Sequence, residues 1–457
     1  MDVLADRAQG GELDLTRTAR EQALEGPSGG PGPITRRHLL KAAGAGLGAV
    51  ALGGALAACG SAASVAGSGS STIGPGTKGS LTIWHYYNVP DQLNTLNQLT
   101  SIFQKKYPKV SVQSTYIDSN DIAQKVIAAA NTQSGPDIII YGGTAVSQMY
   151  QARALKNMQS YWKQYADASK FPDSVLTRFN GGLYAVKGYV NLTGFWYNKT
   201  LTDELGITIP KTFDEMTSAF AKVVASGKNY IPMALAGIAT FEGDWTAWPY
   251  MTGYGFTWKN LSQSATESAY QLVQGWTKSG YVPKEAATWA QNDVFNQWTT
   301  GNVVFMENGN WQLGGTTGSK FEFGTTAMPS GPKGGTVYLG GEDQFIGAYS
   351  KNPDLAWTYL KTTFFSTEGN ELFLKNAGSI PARTDVASSS AVTSNPYLSA
   401  FVQEVKSRGS EYPPEGGSLS AAQQVVAENW SSVIAGQSDP GSAAGATITG
   451  VKQSTAS

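Results

Sequence analysis

Ile138-Ile139-Ile140-Tyr141 is a run apolar on both faces. A strand of that kind cannot lie at a solvated surface. It belongs inside a sheet covered by helices, the arrangement of parallel α/β proteins. Upstream, Leu81-Thr82-Ile83-Trp84 reads as a short apolar strand, and Leu93, Leu96, Leu99 and Phe103 recur at helical spacing until Pro108 stops the helix. Val110, Val112, Gln113, Ser114 and Tyr116 mark a second strand. Asp121 is placed to cap a helix carrying Ile122, Val126, Ile127 and Ala130, which leads back to Ile138. In sheets built this way, ligands gather beyond the carboxyl ends of the strands. The exits here are His85-Tyr86-Tyr87-Asn88 and Tyr141-Gly142-Gly143-Thr144, polar and aromatic, with glycines that let a ligand approach the backbone.

Downstream the rhythm repeats. Phe195-Trp196-Tyr197 is a strand, and Thr212-Phe213-Asp214-Glu215 is a capping box opening a helix that runs through Val224 to Gly227. Asp293 to Thr300 reads as a helix leading into strand Val303-Val304-Phe305-Met306, and Gly324 to Met328 as a further strand. Asn352 is expected to cap a helix with Pro353 in its first turn. Two more amphipathic helices are expected, around Leu398 to Lys406 and Ser420 to Ile434.

Composition narrows the function. The 457 residues carry 33 Lys and Arg against 34 Asp and Glu, a net charge of -1, and the basic residues are spread along the chain. The footprint of a nucleic-acid binder is missing. Only 15% of residues are charged, while 12 Trp and 21 Tyr are present, many in polar, Gly-rich stretches. That pattern suggests an aromatic-lined surface for a neutral small ligand, with about half of these rings expected in the core. One cysteine, Cys59, and two histidines, His38 and His85, provide neither a disulfide nor a zinc site, and no metal or other cofactor is expected.

The first eighty residues read as an address. Arg36-Arg37 precede a mildly apolar, Gly-rich run from Leu39 to Ala58, which looks like a twin-arginine export signal. The run approaches membrane-spanning length, but its glycines argue against a permanent span. It ends in Leu56-Ala57-Ala58-Cys59-Gly60, which resembles the lipobox of bacterial lipoproteins, with Cys59 as the acylated residue. Leu39 departs from the Phe usual in twin-arginine signals, which leaves the export route open. Ser61 to Gly79 is rich in Gly, Ser and Ala and reads as a flexible tether. Its Gly74-Pro75-Gly76-Thr77-Lys78-Gly79 matches a dinucleotide fingerprint in spelling, yet no strand precedes it, so it reads as linker.

The order of motifs resembles the extracellular solute-binding proteins of ATP-driven sugar importers, the maltose-binding type. The carriers are Leu81 to Trp84 with Phe103 to Val110, Gly135-Pro136-Asp137-Ile138-Ile139, Gly182-Leu183-Tyr184-Ala185-Val186, and Trp196-Tyr197-Asn198-Lys199 with Ile209 to Glu215. They continue with Gly301 to Met306, Gly309-Asn310-Trp311, Met328-Pro329, Gly340-Gly341, Ser350 to Pro353 with Ala356-Trp357, and Ile380-Pro381-Ala382-Arg383. The resemblance implies an α/β, two-lobed periplasmic-binding-protein-like fold of type II, each lobe a mainly parallel sheet flanked by helices and joined by hinge strands. Mapped here, residues 1–58 are the export signal and 59–79 the tether. Lobe one is 80–190 with 342–390, lobe two is 194–338 with 391–448, and 449–457 is a tail. It further implies a lipid-anchored, extracytoplasmic monomer that binds a sugar without altering it and hands it to a membrane permease.

A sugar needs aromatic faces for its C–H patches and carboxylates, amides or backbone groups for its hydroxyls. Trp311, after Asn310, matches the family's stacking tryptophan. Asp244 and Trp245 sit together in Phe241-Glu242-Gly243-Asp244-Trp245, which resembles a family contact region. His85, Tyr86 and Asn88 follow the first strand, and Tyr141 and Gly143 the third. Asn191 lies at the first crossing strand, and Glu342 and Asp343 at the second, where carboxylates can accept hydroxyl protons. Trp289 and Glu415 complete the candidates. Two other readings stay open: a binding protein for a peptide or polyamine, since fold does not fix ligand, and an exported glycoside-active enzyme using two carboxylates.

Overall fold

In the computed structural model, residues 73–142, 145–408 and 419–455 are described. Arg36, Arg37, Cys59, Gly143 and Glu415 fall outside them. In chain order the strands are β1 (Gly79–His85), β2 (Val110–Tyr116), β3 (Ile138–Tyr141), β4 (Leu176–Phe179), β5 (Gly182–Lys187) and β6 (Tyr189–Val190). There follow β7 (Thr193–Asn198), β8 (Ile231–Ala234), β9 (Val303–Gly309), β10 (Phe323–Thr326), β11 (Asp343–Ile346) and β12 (Ile380–Pro381).

They form a six-stranded sheet in the order β2-β1-β3-β11-β5-β4, a four-stranded sheet in the order β10-β7-β9-β8, and the short pair β12-β6. As its sequence demands, β3 is central and its four residues are buried. Both sheets are mixed, however, where mainly parallel ones were expected. β1 runs parallel to β2 and β3, but β11 is antiparallel to β3 and β5. In the second sheet only β8 and β9 are parallel. The reversed strands of the first sheet are β11, which enters from the other half, and the edge strand β4, which pairs antiparallel with β5. β11 returns into the first sheet after the whole second sheet has been laid down, so it arrives head to tail with β3.

The helix Pro90–Lys106 follows the predicted apolar stripe with one exception. Leu96, Leu99 and Phe103 are buried, but Gln92 and Thr95 take the remaining inward places and Leu93 is 39% exposed. Asp91 in its first turn and Lys105 and Lys106 in its last suit the helix dipole. In the helix Phe213–Ala225, Thr212 Oγ1 accepts the Glu215 N–H at 3.2 Å, and the Glu215 carboxylate reaches back one residue further than the standard box, to the Lys211 N–H at 2.6 Å. Two expected caps are absent. Asn352 donates its amide to Ser80 O at 3.1 Å instead of capping Pro353–Thr362, and Asp121 pairs with Lys125 at 3.3 Å. The supposed tail belongs to the body: the last helix runs Pro440–Thr455 with Val451 fully buried.

Chain crossings join the two sheets. The first leaves β6 and enters β7 through Asn191 and Leu192; the second returns from Tyr338 through Glu342 into β11. They are bound to each other, Gly340 N donating to Asn191 O at 2.7 Å. Most of the tryptophan serves the core: Trp196, Trp248, Trp276, Trp298 and Trp430 are essentially inaccessible to solvent.

Candidate functional site

Where the carboxyl ends of β1 and β3 meet the crossings, a cavity opens between the sheets, with about 990 Å³ of atom-free space including its mouth. One wall comes from the first sheet, with Tyr86, Asn88 and Gly142; the floor comes from the crossings, with Lys187, Asn191 and Gly340 to Glu342. The opposite wall carries Glu242, Trp245, Trp311 and Gln423.

Two half-buried indoles dominate. Trp245 and Trp311 lie 6.4 Å apart at 71°, nearly perpendicular, and both line the cavity. Each rests on a glycine. A Cβ on Gly309 would overlap the Trp311 ring, and a Cβ on Gly340 would overlap that of Trp245. Behind Trp245 the stack continues through Tyr338 at 5.4 Å to Trp248 at 4.4 Å and Trp258 at 5.5 Å, which fixes the front ring against a rigid column.

Polar groups surround the rings. Tyr86 Oη donates to Glu342 Oε1 at 3.1 Å, while Glu342 Oε2 is buried with no hydrogen-bond partner among the described residues. Burial pushes the Glu342 carboxyl above the usual carboxylate range, against the pull of the Tyr189 and Tyr86 hydroxyls and of Lys187. Glu242 Oε2 accepts the Gln291 N–H at 2.7 Å, and burial raises this carboxyl as well. Among the described residues no group of His, Cys, Asp and Glu side chains is placed to hold a metal ion.

The predicted residues fall into neighbouring pairs of which one member faces the cavity. Tyr86 lines it, whereas His85 is buried behind with its Nδ1 accepting the Tyr87 N–H at 3.3 Å. Burial lowers the His85 pKa to about 4, so its imidazole is neutral. Trp245 lines the cavity, whereas Asp244 points inward and accepts from Gln423 Nε2 at 2.6 Å; burial pushes its carboxyl up to about 8. Trp311 lines it, whereas Asn310 is a brace: it accepts Leu192 N at 2.8 Å and donates to Asn191 Oδ1 and Gly378 O, each at 2.9 Å. Glu342 lines it, whereas Asp343 holds Lys187 from behind at 2.6 Å. Asn88 and Asn191 are on the wall. Tyr141 is not; it backs Tyr86 edge-on at 5.7 Å. Trp289 packs half-buried on the core, away from the lining.

Sequence reasoning missed Gln92, Lys187, Glu242, Tyr338 and Gln423. One had a readable signal: in the helix Phe241–Gly253 the spacing of three puts Glu242, not Asp244, on the face of Trp245.

Residues 98–400 match a family described as bacterial extracellular solute-binding protein. The chain is 26% identical over 294 residues to the multiple sugar-binding protein of Streptococcus mutans, covering 59% of this chain and 67% of that one. It is 21% identical over 355 residues to the melibiose/raffinose/stachyose-binding protein MelE of Bacillus subtilis, covering 72% and 79%. Its fold is similar to that of the GacH receptor of Streptomyces glaucescens, solved unliganded and with acarbose, with a TM-score of 0.74 at 22% identity over 83% of this chain and 99% of that one.

Proposed function

Since this chain belongs to the bacterial extracellular solute-binding protein family, we propose that it captures a sugar or short oligosaccharide in the cavity between its lobes and delivers it to the membrane permease of an ATP-driven importer. The observation that carries the reading is the pair of glycine-seated indoles, Trp245 and Trp311, set among Glu242, Asn191, Glu342 and Gln423. Indole faces match the C–H patches of a pyranose, and carboxylates and amides match its hydroxyls. Relatives named for sugars support it. The lobes we assign are 80–190 with 342–390, and 194–338 with 391–455, the last helix included. Hinge closure about the crossings encloses the solute.

The test is a melting panel on residues 60–457 with melibiose, raffinose, stachyose, acarbose and common monosaccharides. A ligand that binds only the folded chain raises its melting temperature, by the equivalent of about 2.7 kcal/mol at a hundredfold excess over Kd. At least one sugar is expected to raise it by several degrees. No shift with any sugar, beside a shift with peptides or polyamines, would overturn the reading.

The same proposal places the body outside the cytoplasm, exported behind Arg36-Arg37 and held at the membrane by an acyl chain on Cys59. Among the described residues no helix is long and apolar enough to cross a membrane. Cys59→Ser in the producing cell is expected to move the protein from the membrane fraction to the medium. Unchanged membrane retention would refute the anchor.

A further inference from the structure

Three side chains that can carry full charge line the cavity: Lys187, Glu242 and Glu342. The lysine's charge is already answered. Its Nζ lies 2.6 Å from Asp343 Oδ2, with the two side chains 8% and 4% exposed. The two residues sit directly opposite each other across the β5–β11 ladder. The other oxygen of Asp343 accepts the Thr177 hydroxyl at 2.8 Å, so its carboxylate is fixed in place. Asp343 itself does not reach the cavity.

The two glutamates are held differently, Glu342 feeling the pull of the same Lys187. Glu242 accepts from a backbone N–H, and Glu342 accepts from the Tyr86 phenol while its second oxygen has no hydrogen-bond partner among the described residues. A ligand donor group, hydroxyl or ammonium, finds acceptors here. An anionic ligand finds carboxyls and a lysine whose charge is spent, in surroundings where water screens poorly.

We propose that Asp343 sets the charge selectivity of the cleft: by neutralising Lys187 from behind the wall, it makes the site accept uncharged or amine-bearing sugars and reject sugars that carry a carboxylate. This rests on the sugar-binding reading. Asp343 acts through Lys187 and is therefore a positioning residue, so its effect must appear in discrimination between ligands and not in affinity alone.

Calorimetric titration with matched pairs tests it: raffinose, melibiose and acarbose, each beside its counterpart oxidised to carboxylates at the primary hydroxyls. For the neutral member that binds, the wild-type protein is expected to hold the oxidised form at least tenfold more weakly at low salt, with the gap closing as salt is added. Asp343→Asn, which removes the carboxylate of the ion pair with Lys187, is expected to raise the ratio of oxidised to neutral affinity at least tenfold. A merely structural role would weaken both members alike and leave the ratio unmoved. Because removing one partner of a buried ion pair can cost the fold, Glu342→Gln serves as a second variant, which should raise the same ratio by removing a carboxyl from the wall. Equal affinity for the pair in the wild-type protein, or an unmoved ratio in the folded variants, overturns the assignment. Binding by none of the neutral sugars overturns the sugar reading beneath it.

Discussion

Trp311→Ala is expected to weaken sugar binding by about a hundredfold or more, the equivalent of roughly 2.7 kcal/mol, while the unliganded protein stays folded. Both halves of that expectation come from how the ring is placed. The indole is half-buried and lies against Gly309, so it lines the cavity without filling the core. Truncation removes the stacking surface and admits water to the neighbouring polar groups, the behaviour of an aromatic anchor in a binding hot spot. Gly309→Ala supplies the complementary measurement, because an added methyl there must push the intact indole off its seat. It should also weaken binding, by tenfold or more. Titration calorimetry with the best sugar of the panel decides: affinity for Trp311→Ala within threefold of the wild type would remove the ring from the site.

The second large effect is on stability. Asp244 is completely buried, and burial lifts its carboxyl from an ordinary value of 3.8 to about 8, against the hydrogen bonds of Gln423 and Tyr338. The folded chain therefore keeps a proton that the unfolded chain gives up. The stability tied to that proton is complete below pH 3.8 and is lost as pH rises towards 8. At about 1.36 kcal/mol per pH unit the total is roughly 6 kcal/mol. Glu242, Glu307 and Glu342 are raised by burial too and act in the same direction. His85 opposes them. Its pKa is lowered from 6.5 to about 4, so its contribution is present above 6.5 and is lost as the solution is acidified. The two slopes offset one another below pH 6.5, and only the carboxyl slope survives above it. The melting temperature is thus expected to fall most steeply between about pH 6.5 and 8. Asp244→Asn, which mimics the protonated form and keeps an acceptor for Gln423, is expected to flatten most of that fall. Thermal melts from pH 5 to 9 measure it; a flat or rising wild-type curve over that window would remove the buried proton from the account.

Segments were easier to read than phases. The run Ile138 to Tyr141 and the stripe ending at Phe103 are local facts, and they located the central strand and its helix, whereas Trp311, which lies on the cavity wall, was singled out by the family resemblance alone. At four places the sequence offers two adjacent polar or aromatic residues: His85 and Tyr86, Asp244 and Trp245, Asn310 and Trp311, Glu342 and Asp343. Neighbours on a strand point to opposite faces and neighbours on a helix are turned by about 100°, so one of each pair faces the ligand space and the other braces it. Which one does so depends on where the strand or helix begins, and that is decided by tertiary packing. Gln423 illustrates the remainder. It reaches Asp244 from a helix 179 positions further along the chain, and nothing near it in sequence marks it. The mixed sheets have the same origin, since the direction of β11 depends on a return crossing whose path no local pattern encodes.

Asn310 has a consequence beyond bracing. It grips the first crossing at Leu192 and Asn191 and, through Gly378, the approach to β12, while Gly340 clasps the second crossing to Asn191. The passages between the halves are therefore tied to one another, and Asn191 belongs both to that tie and to the cavity wall. Under the proposed function, a substitution at Trp245 or Trp311 is expected to retune what is carried and leave the pivot untouched. One at Asn191 is expected to alter the freight and the swing of the proposed door together.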